Sequence, residues 1–221
     1  MKPILKYLKY FNLNTLYFNF TYFPFSTAIK FPVLVSRYVY LKLMRGNIIL
    51  PDFISAGIIK IGFGDVGIFD KKKSRTVWEV NGNIYFQGSA FIGHGAKICV
   101  GRDGDLLLGN NFVLSAESSI VAFKKIVIGS NCLISWDNLI IDTDFHKIID
   151  NNAMQLNPDR CIEIGNNVWI NARCTVLKGS IIPRGSVIAA NSLVTGVLKV
   201  EASFYAGNPA ILKKEGINWS N

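Results

Sequence analysis

Between residues 162 and 195 the sequence reads IEIGNNVWINARCTVLKGSIIPRGSVIAANSLVT. Ile164, Ile170, Val176, Ile182, Ile188 and Val194 recur every six residues without a miss. Two positions ahead of each runs a second series, Ile162, Val168, Cys174, Ser180, Ser186 and Ser192, all small or β-branched. A lone helix repeats near 3.6 residues and a lone strand at 2, so neither accounts for six. A coil of short strands joined by corners does: each hexapeptide forms one flat face, and its aliphatic side chain points to the axis. Gly, Asn and Pro take the corners, where φ is positive or fixed. Three faces close one turn, and successive turns stack as parallel strands. The same period runs through Val80, Phe86, Ile92 and Ile98, then shifts phase to Leu108, Leu114 and Ile120, and again to Ile128, Ile134 and Ile140. The spacing predicts an all-β chain whose coil begins near Ile58 and runs to about Val194. The organisation expected is a partly helical N-terminal extension (1–56), a β-helix (57–205) with a protruding loop (141–161), and a C-terminal tail (206–221).

Charge is unevenly spread along the 221 residues. The formal net charge is +9, yet from Met1 to Pro51 there is no acid, only Lys2, Lys6, Lys9, Lys30, Arg37, Lys42 and Arg45, so +7 of it lies in the first 51 residues. Aromatic residues interleave with these bases: Tyr7, Tyr10, Phe11, Tyr17, Phe18, Phe20, Tyr22, Phe23 and Phe25. Such a segment suits either an anionic lipid surface or a cover over one end of the coil or a subunit contact. No zinc-finger spacing or RNA-binding aromatic motif points to nucleic acid. Lys6 and Lys9 interrupt any signal-like apolar run, and Tyr10–Ile29 is too polar for a spanning helix. Cys99, Cys132, Cys161 and Cys174 show no metal-ligand spacing. These features predict a cytoplasmic protein, with the inner face of the membrane as a further location. Cys132 and Cys174 fall in core positions.

The run NNVWINARCTVLKGSIIPRGSVIAANSLVT, followed by YAGNPA, resembles the C-terminal half of maltose, galactoside and nodulation acetyltransferases and the O-acetyltransferases of bacterial polysaccharide clusters. The chain is thus similar, over roughly Gly57 to Lys214, to the hexapeptide-repeat acyltransferases. The resemblance implies a left-handed β-helix, against the usual right-handed crossover, and a homotrimer with sites between neighbouring coils. It implies acyl transfer from acetyl-coenzyme A, with no metal, to a sugar or oligosaccharide hydroxyl of a bacterial surface polysaccharide or its precursor.

The repeat breaks at DTDFHKIID, Asp142 to Asp150, which carries one of only two histidines. A sugar hydroxyl attacking a thioester must shed its proton, and imidazole, with a pKa of about 6.5, is suited to take it. The base must stand off the coil, since the axis is dry. His146, on a loop that leaves after Ile140 and returns at Ile162, meets that need and sits where the family keeps its catalytic histidine. Asp142 or Asp144 would orient the ring by accepting from its other nitrogen, or else cap a turn. His94, between glycines in FIGHGAK, reads as an exposed turn residue with acceptor binding as a second role. Trp136 and Asp137 in ISWDN read as acceptor-pocket residues or as corner packing.

By the same resemblance, Asn171, Ala172, Ala189, Ala190 and Thr195 would receive the pantetheine arm through backbone groups at corners, with Trp169 flanking it. Lys213 and Lys214, after AGNPA, would meet the 3′-phosphate or else lie solvated. Relatives carry Lys or Arg after the Thr of the last turn, where this chain has Gly196. Three other functions compete. N-acetylation of an amino sugar would use the same base. A zinc carbonic anhydrase needs three histidine ligands, which a chain with two cannot supply. A non-catalytic solenoid would present a threonine ladder or a large apolar face, and neither is visible.

Overall fold

In the computed structural model, which describes residues 12–220, the hexapeptide pattern becomes three parallel sheets wound around one axis. The strands visit the sheets in rotation, so that each sheet collects every third strand of the coil. Ile128, Ile164 and Ile182 are in register along one sheet, Ile134, Ile170 and Ile188 along the next, and Ile140, Val176 and Val194 along the third. All of them are buried, as are Ser180, Ser186 and Ser192 of the second series. Like side chains stacked at the interstrand spacing fill the axis without voids, which is what close packing demands. The result is a left-handed parallel β-helix of triangular section.

The coil starts earlier than its spacing announced. The strands Val33–Val35, Val39–Met44 and Asn47–Ile49 pair in parallel with the second turn and form a complete first turn. The second part of the extension expected over 1–56, from Val33 on, is therefore coil; its irregular register, shifted between Leu41 and Leu43, hid the period. Two helices precede it, α1 (Leu13–Tyr22) and α2 (Phe25–Ala28). At the other end, Phe204–Ala206 joins the first sheet and pairs antiparallel with Ile211–Lys214, so the expected tail continues that sheet.

Two of the three prism edges are made by single residues at positive φ. Asn111, Asn131, Asn167 and Gly185 form the edge leading into the first sheet; Gly95, Glu117, Asp137, Arg173 and Asn191 form the edge between the first and second sheets. Asn and Gly tolerate this region best. Glu117 and Arg173 do not share that preference, and Arg173 Nε sits 3.3 Å from Asp137 Oδ2 across two successive turns. The remaining edge, between the second and third sheets, is where the chain breaks out into the loop after Leu139–Ile141 and returns at Ile162–Ile164.

Candidate active site

The protruding loop is a bonded hairpin and not a floppy insertion. Its base is closed by Arg160 N donating to Asp142 O at 3.3 Å. Its arms meet through the antiparallel bridge Ile149–Gln155 and Leu156 N to Ile148 O at 2.8 Å. Asn157 braces the inside: its Nδ2 donates to His146 O and to Asp144 Oδ2, each at 2.8 Å, and its Oδ1 accepts from Ile148 N. Phe145, at φ +61°, packs edge-on against Phe123 with centroids 4.9 Å apart. These contacts fix the backbone on either side of His146 and leave its imidazole exposed, with no partner among the described residues.

Neither aspartate orients that ring, which corrects one of the two readings of each. Asp142 is buried beneath the loop, and its carboxylate accepts from the backbone N–H groups of Phe123 (2.7 Å) and Lys124 (2.9 Å). It caps the neighbouring turn of the coil and makes no bond to the imidazole. Burial raises its pKa above the ordinary range, the backbone donors pulling the other way. Asp144 Oδ2 is taken by Lys178 Nζ at 2.5 Å and by Asn157. These two bonds, Lys178 first, lower the Asp144 pKa. Lys178 Nζ also donates to Asn157 O at 2.8 Å, so one ammonium ties both arms of the hairpin to the next turn. Lys178→Met is accordingly expected to raise the rate of limited proteolysis within residues 146–156 several-fold, with only a small change in melting temperature because the Asp144 end of the pair is exposed to solvent. A cleavage rate equal to the parent's would show that the tie does not hold the hairpin.

His94 departs furthest from its expected exposure. Its side chain is only 2% exposed, and both ring nitrogens lack a hydrogen-bond partner among the described residues. Its Nε2 lies 4.0 Å from Glu117 Oε1. The excursion 64–75 covers this corner, with Ser74 Oγ bonded to Glu117 and Lys97 Nζ 2.6 Å from Glu117 Oε2. Gly95 makes the closure possible: at φ +72°, a Cβ there would stand 1.9 Å from Glu117 Oε1.

The remaining candidates divide between edges. Trp136 and Asp137 lie on the edge between the first and second sheets, not beside His146 on the loop's edge. Asp137 there walls an open cavity of about 350 Å³, with Phe69, Asp70, Lys73, Ser74, Lys97 and Glu117. Asn171, Ala172, Ala189 and Ala190 sit on the same edge one and two turns further along. The N–H groups of Ala172 and Ala190 meet no acceptor among the described residues, and neither residue is buried. Trp169 stands on the outer face of the first sheet; its Nε1 donates to Ser135 Oγ at 3.0 Å, and its ring meets Trp219 at 5.9 Å. Lys213 and Lys214 are exposed on the last strand of that sheet, and Thr195 is exposed where the second sheet ends. A larger depression of about 410 Å³ lies on the outer face of the third sheet. Its walls, including Leu107, Val127 and Ile181, hold none of these groups, so size alone does not mark the site.

Sequence reasoning missed Asn157, Lys178 and Phe123. Each acts on the loop from 11 to 34 residues away or from another turn, and a single sequence carries no signal for such pairs. Cys132 and Cys174 are buried and donate to the carbonyls of Gly165 (3.1 Å) and Ala189 (3.0 Å). Burial pushes the Cys132 thiol up to about 11, far from a reactive thiolate. The described residues contain no cluster of three or more His, Cys, Asp or Glu able to hold a metal, and no helix long and apolar enough to cross a membrane.

Known proteins place this geometry in context. The bacterial transferase hexapeptide family (six repeats) matches residues 162–196. The putative lipopolysaccharide biosynthesis O-acetyl transferase WbbJ of Escherichia coli K12 is 31% identical over 144 residues, covering 61% of this chain and 73% of that protein. An uncharacterized 24.8 kDa protein in the cps region of Klebsiella pneumoniae is 29% identical over 140 residues, 63% of this chain and 62% of that one, so the match spans less than two thirds of its length. Among solved structures, the polySia-specific acetyltransferase NeuO superposes with a TM-score of 0.63 at 22% identity, over 86% of this chain and 79% of that chain, a likeness of fold. The repeat, its stacked core and a relative matched at 31% identity over nearly three quarters of that relative's length agree: this chain belongs to the hexapeptide-repeat acetyltransferase family.

Proposed function

We propose that this chain transfers an acetyl group from acetyl-coenzyme A to a sugar hydroxyl of a bacterial surface polysaccharide or its precursor, with His146 as general base. The observation that carries the reading is the placement of the two imidazoles. One is sealed beneath Glu117, and the other stands unpaired and exposed on a hairpin braced on both sides. In the reaction the acceptor hydroxyl gives its proton to the imidazole as its oxygen bonds to the thioester carbonyl carbon. The tetrahedral intermediate then collapses, the C–S bond breaks, and the coenzyme A thiolate leaves and takes up the proton. The acceptor class is supported by the name of the Escherichia coli relative, an O-acetyl transferase of lipopolysaccharide biosynthesis.

Asn171, Ala172, Ala189 and Ala190 are proposed to receive the pantetheine arm, the unbonded N–H groups of Ala172 and Ala190 meeting its amide carbonyls. Trp169 would flank the arm, Thr195 would contact it, and Lys213 and Lys214 would face the 3′-phosphate. Trp136 and Asp137 are proposed for the acceptor, a ring against a sugar face and a carboxylate for its hydroxyls. Trp136, Asp137, Asn171, Ala172, Ala189 and Ala190 share an edge that the same chain's His146 does not, and the hairpin exposes Ile148, Ile149, Met154 and Leu156. A homotrimer resolves both features. The apolar hairpin would pack on a neighbouring coil and carry His146 to that neighbour's coenzyme A edge, in a closed threefold ring.

Purified protein incubated with acetyl-coenzyme A and candidate sugars is expected to release free thiol only when an acceptor is present. Mass spectrometry of the product before and after mild alkali separates an ester, which is cleaved, from the amide of an amino sugar, which survives. Failure to bind coenzyme A by calorimetry would leave only a non-catalytic solenoid.

A further inference from the structure

The helix at the start of the coil is amphipathic in reverse. The first strand, Val33–Val35, has one side unpaired by any strand, and an open sheet edge needs a cover. Helix α1 supplies it with polar side chains. Thr15 Oγ1 donates to Val35 O and accepts from Val35 N, both at 3.0 Å. Asn19 Nδ2 donates to Val33 O at 2.7 Å, and its Oδ1 accepts from Val33 N. Asn12 and Asn14 reach the carbonyls of Val35, Ser36 and Val39. Thr15 and Asn19 are thus turned inward together with Phe18, leaving Leu13, Tyr17 and Phe20 outside. Leu13, Tyr17 and Phe20, spaced four and three residues apart on one helical stripe, are 81%, 60% and 46% exposed. Phe25 of α2 extends the stripe at 72% exposure, its ring 6.0 Å from that of Phe20. This half of the aromatic segment lies bare, whereas Phe18 and Phe23 are buried and Phe18 packs on Trp78. Tyr7, Tyr10 and Phe11, which belong to the same expectation, lie outside the described residues.

We propose that this face docks on the surface of an anionic lipid bilayer, with Leu13, Tyr17, Phe20 and Phe25 entering the interface and the surrounding cations meeting the headgroups. Charge selects this occupant. No carboxylate occurs before Asp52, and the segment carries +7. Exposed Lys30 and Arg37 belong to the described part of it. A second copy of the chain would set two such segments against each other, like charge to like charge. An anionic headgroup layer attracts them by about 1 kcal/mol per basic residue near its surface, and exposed Phe and Leu partition into the same interface.

Docked by this end, the coil would stand out from the bilayer. The His146 hairpin leaves four turns above the first, a height of roughly 19 Å at about 4.8 Å per strand. The value of that height to the reaction rests on the acetyl-transfer reading; the docking does not.

The test is sedimentation of the full chain with vesicles of phosphatidylcholine alone and of phosphatidylcholine with phosphatidylglycerol, which needs no acetyl-transfer activity. The chain is expected to bind the anionic vesicles at least about tenfold more tightly, and to release as salt rises. A Leu13→Ser, Phe20→Ser, Phe25→Ser variant, with an unchanged circular dichroism spectrum, is expected to lose at least about tenfold in binding. Lys30→Glu with Arg37→Glu reads the charge contribution without touching the apolar face and is expected to lose a similar factor. Equal binding to both vesicle types, or binding unaltered in both variants, overturns the proposal. So does a fall in oligomer size in the serine variant, which would make the face a contact between copies.

Discussion

His146→Ala is expected to lower kcat about 10²- to 10⁴-fold, the range for losing a positioned general base, while leaving the far-ultraviolet spectrum and melting temperature as they are. Both halves follow from the same geometry. The imidazole makes no bond among the described residues, so its removal takes no contact from the fold. The hairpin that presents it is held by Asn157, Lys178 and Phe145, whose bonds involve backbone atoms of residue 146 or neighbouring side chains. The fall should appear in kcat and in kcat/KM alike, with the affinity for coenzyme A unchanged by calorimetry, because the imidazole is assigned to the acceptor hydroxyl and not to the coenzyme. Turnover within threefold of the parent would remove His146 as the base. A large loss accompanied by a lowered melting temperature would indicate that the ring is structural after all.

Asp142→Ala is expected to cost about 2–6 kcal/mol of stability, since it leaves the N–H groups of Phe123 and Lys124 unsatisfied beneath the loop at about 1–3 kcal/mol each. The carboxylate spans the point where the coil gives way to the hairpin, so its loss should also shift His146 and lower turnover, by up to about 10²-fold for a displacement near 1 Å. Asp142→Asn keeps one acceptor oxygen and is expected to fall between the two. Asp144→Asn, at an exposed ion pair, is expected to cost less than about 1 kcal/mol. Urea denaturation gives the stabilities, and hydrogen exchange at Phe123 and Lys124 shows directly whether the two amides have lost their acceptor. Exchange as slow in Asp142→Ala as in the parent would contradict the capping role.

The contrast between the two aspartates shows how far a sequence reaches at this site. Their residue type and closeness to a histidine suggested an orienting partner, but a carboxylate bonds to whichever donors the fold brings near. Asp142 lies two residues past the inward Ile140 of the strand before the loop and meets the backbone of the turn before it; Asp144 meets a lysine 34 residues on. His94 is the same lesson reversed. A histidine between two glycines reads as a surface turn, and it is buried because the excursion 64–75 and Glu117 close over it. Trp136 and Asp137 precede the loop by only a few residues, yet a three-residue strand is enough to place them on a different prism edge. The N-terminal segment was legible as basic and aromatic. That its helix would turn its asparagines inward depended on a strand edge that the sequence, with its broken period before Ile58, did not reveal.

By itself the sequence determined that the chain coils from about Ile58, which residues face the axis and where the coil is interrupted, because a six-residue period is local information repeated turn after turn; the hand of the winding came from the family resemblance. It also marked His146 as the histidine on the interrupting loop. The tertiary structure alone decided which edge each polar group occupies, which carboxylate is a cap and which a loop tie, and which imidazole is free. Those outcomes depend on bonds between turns tens of residues apart, whose strength comes from burial and geometry that no stretch of chain contains in isolation.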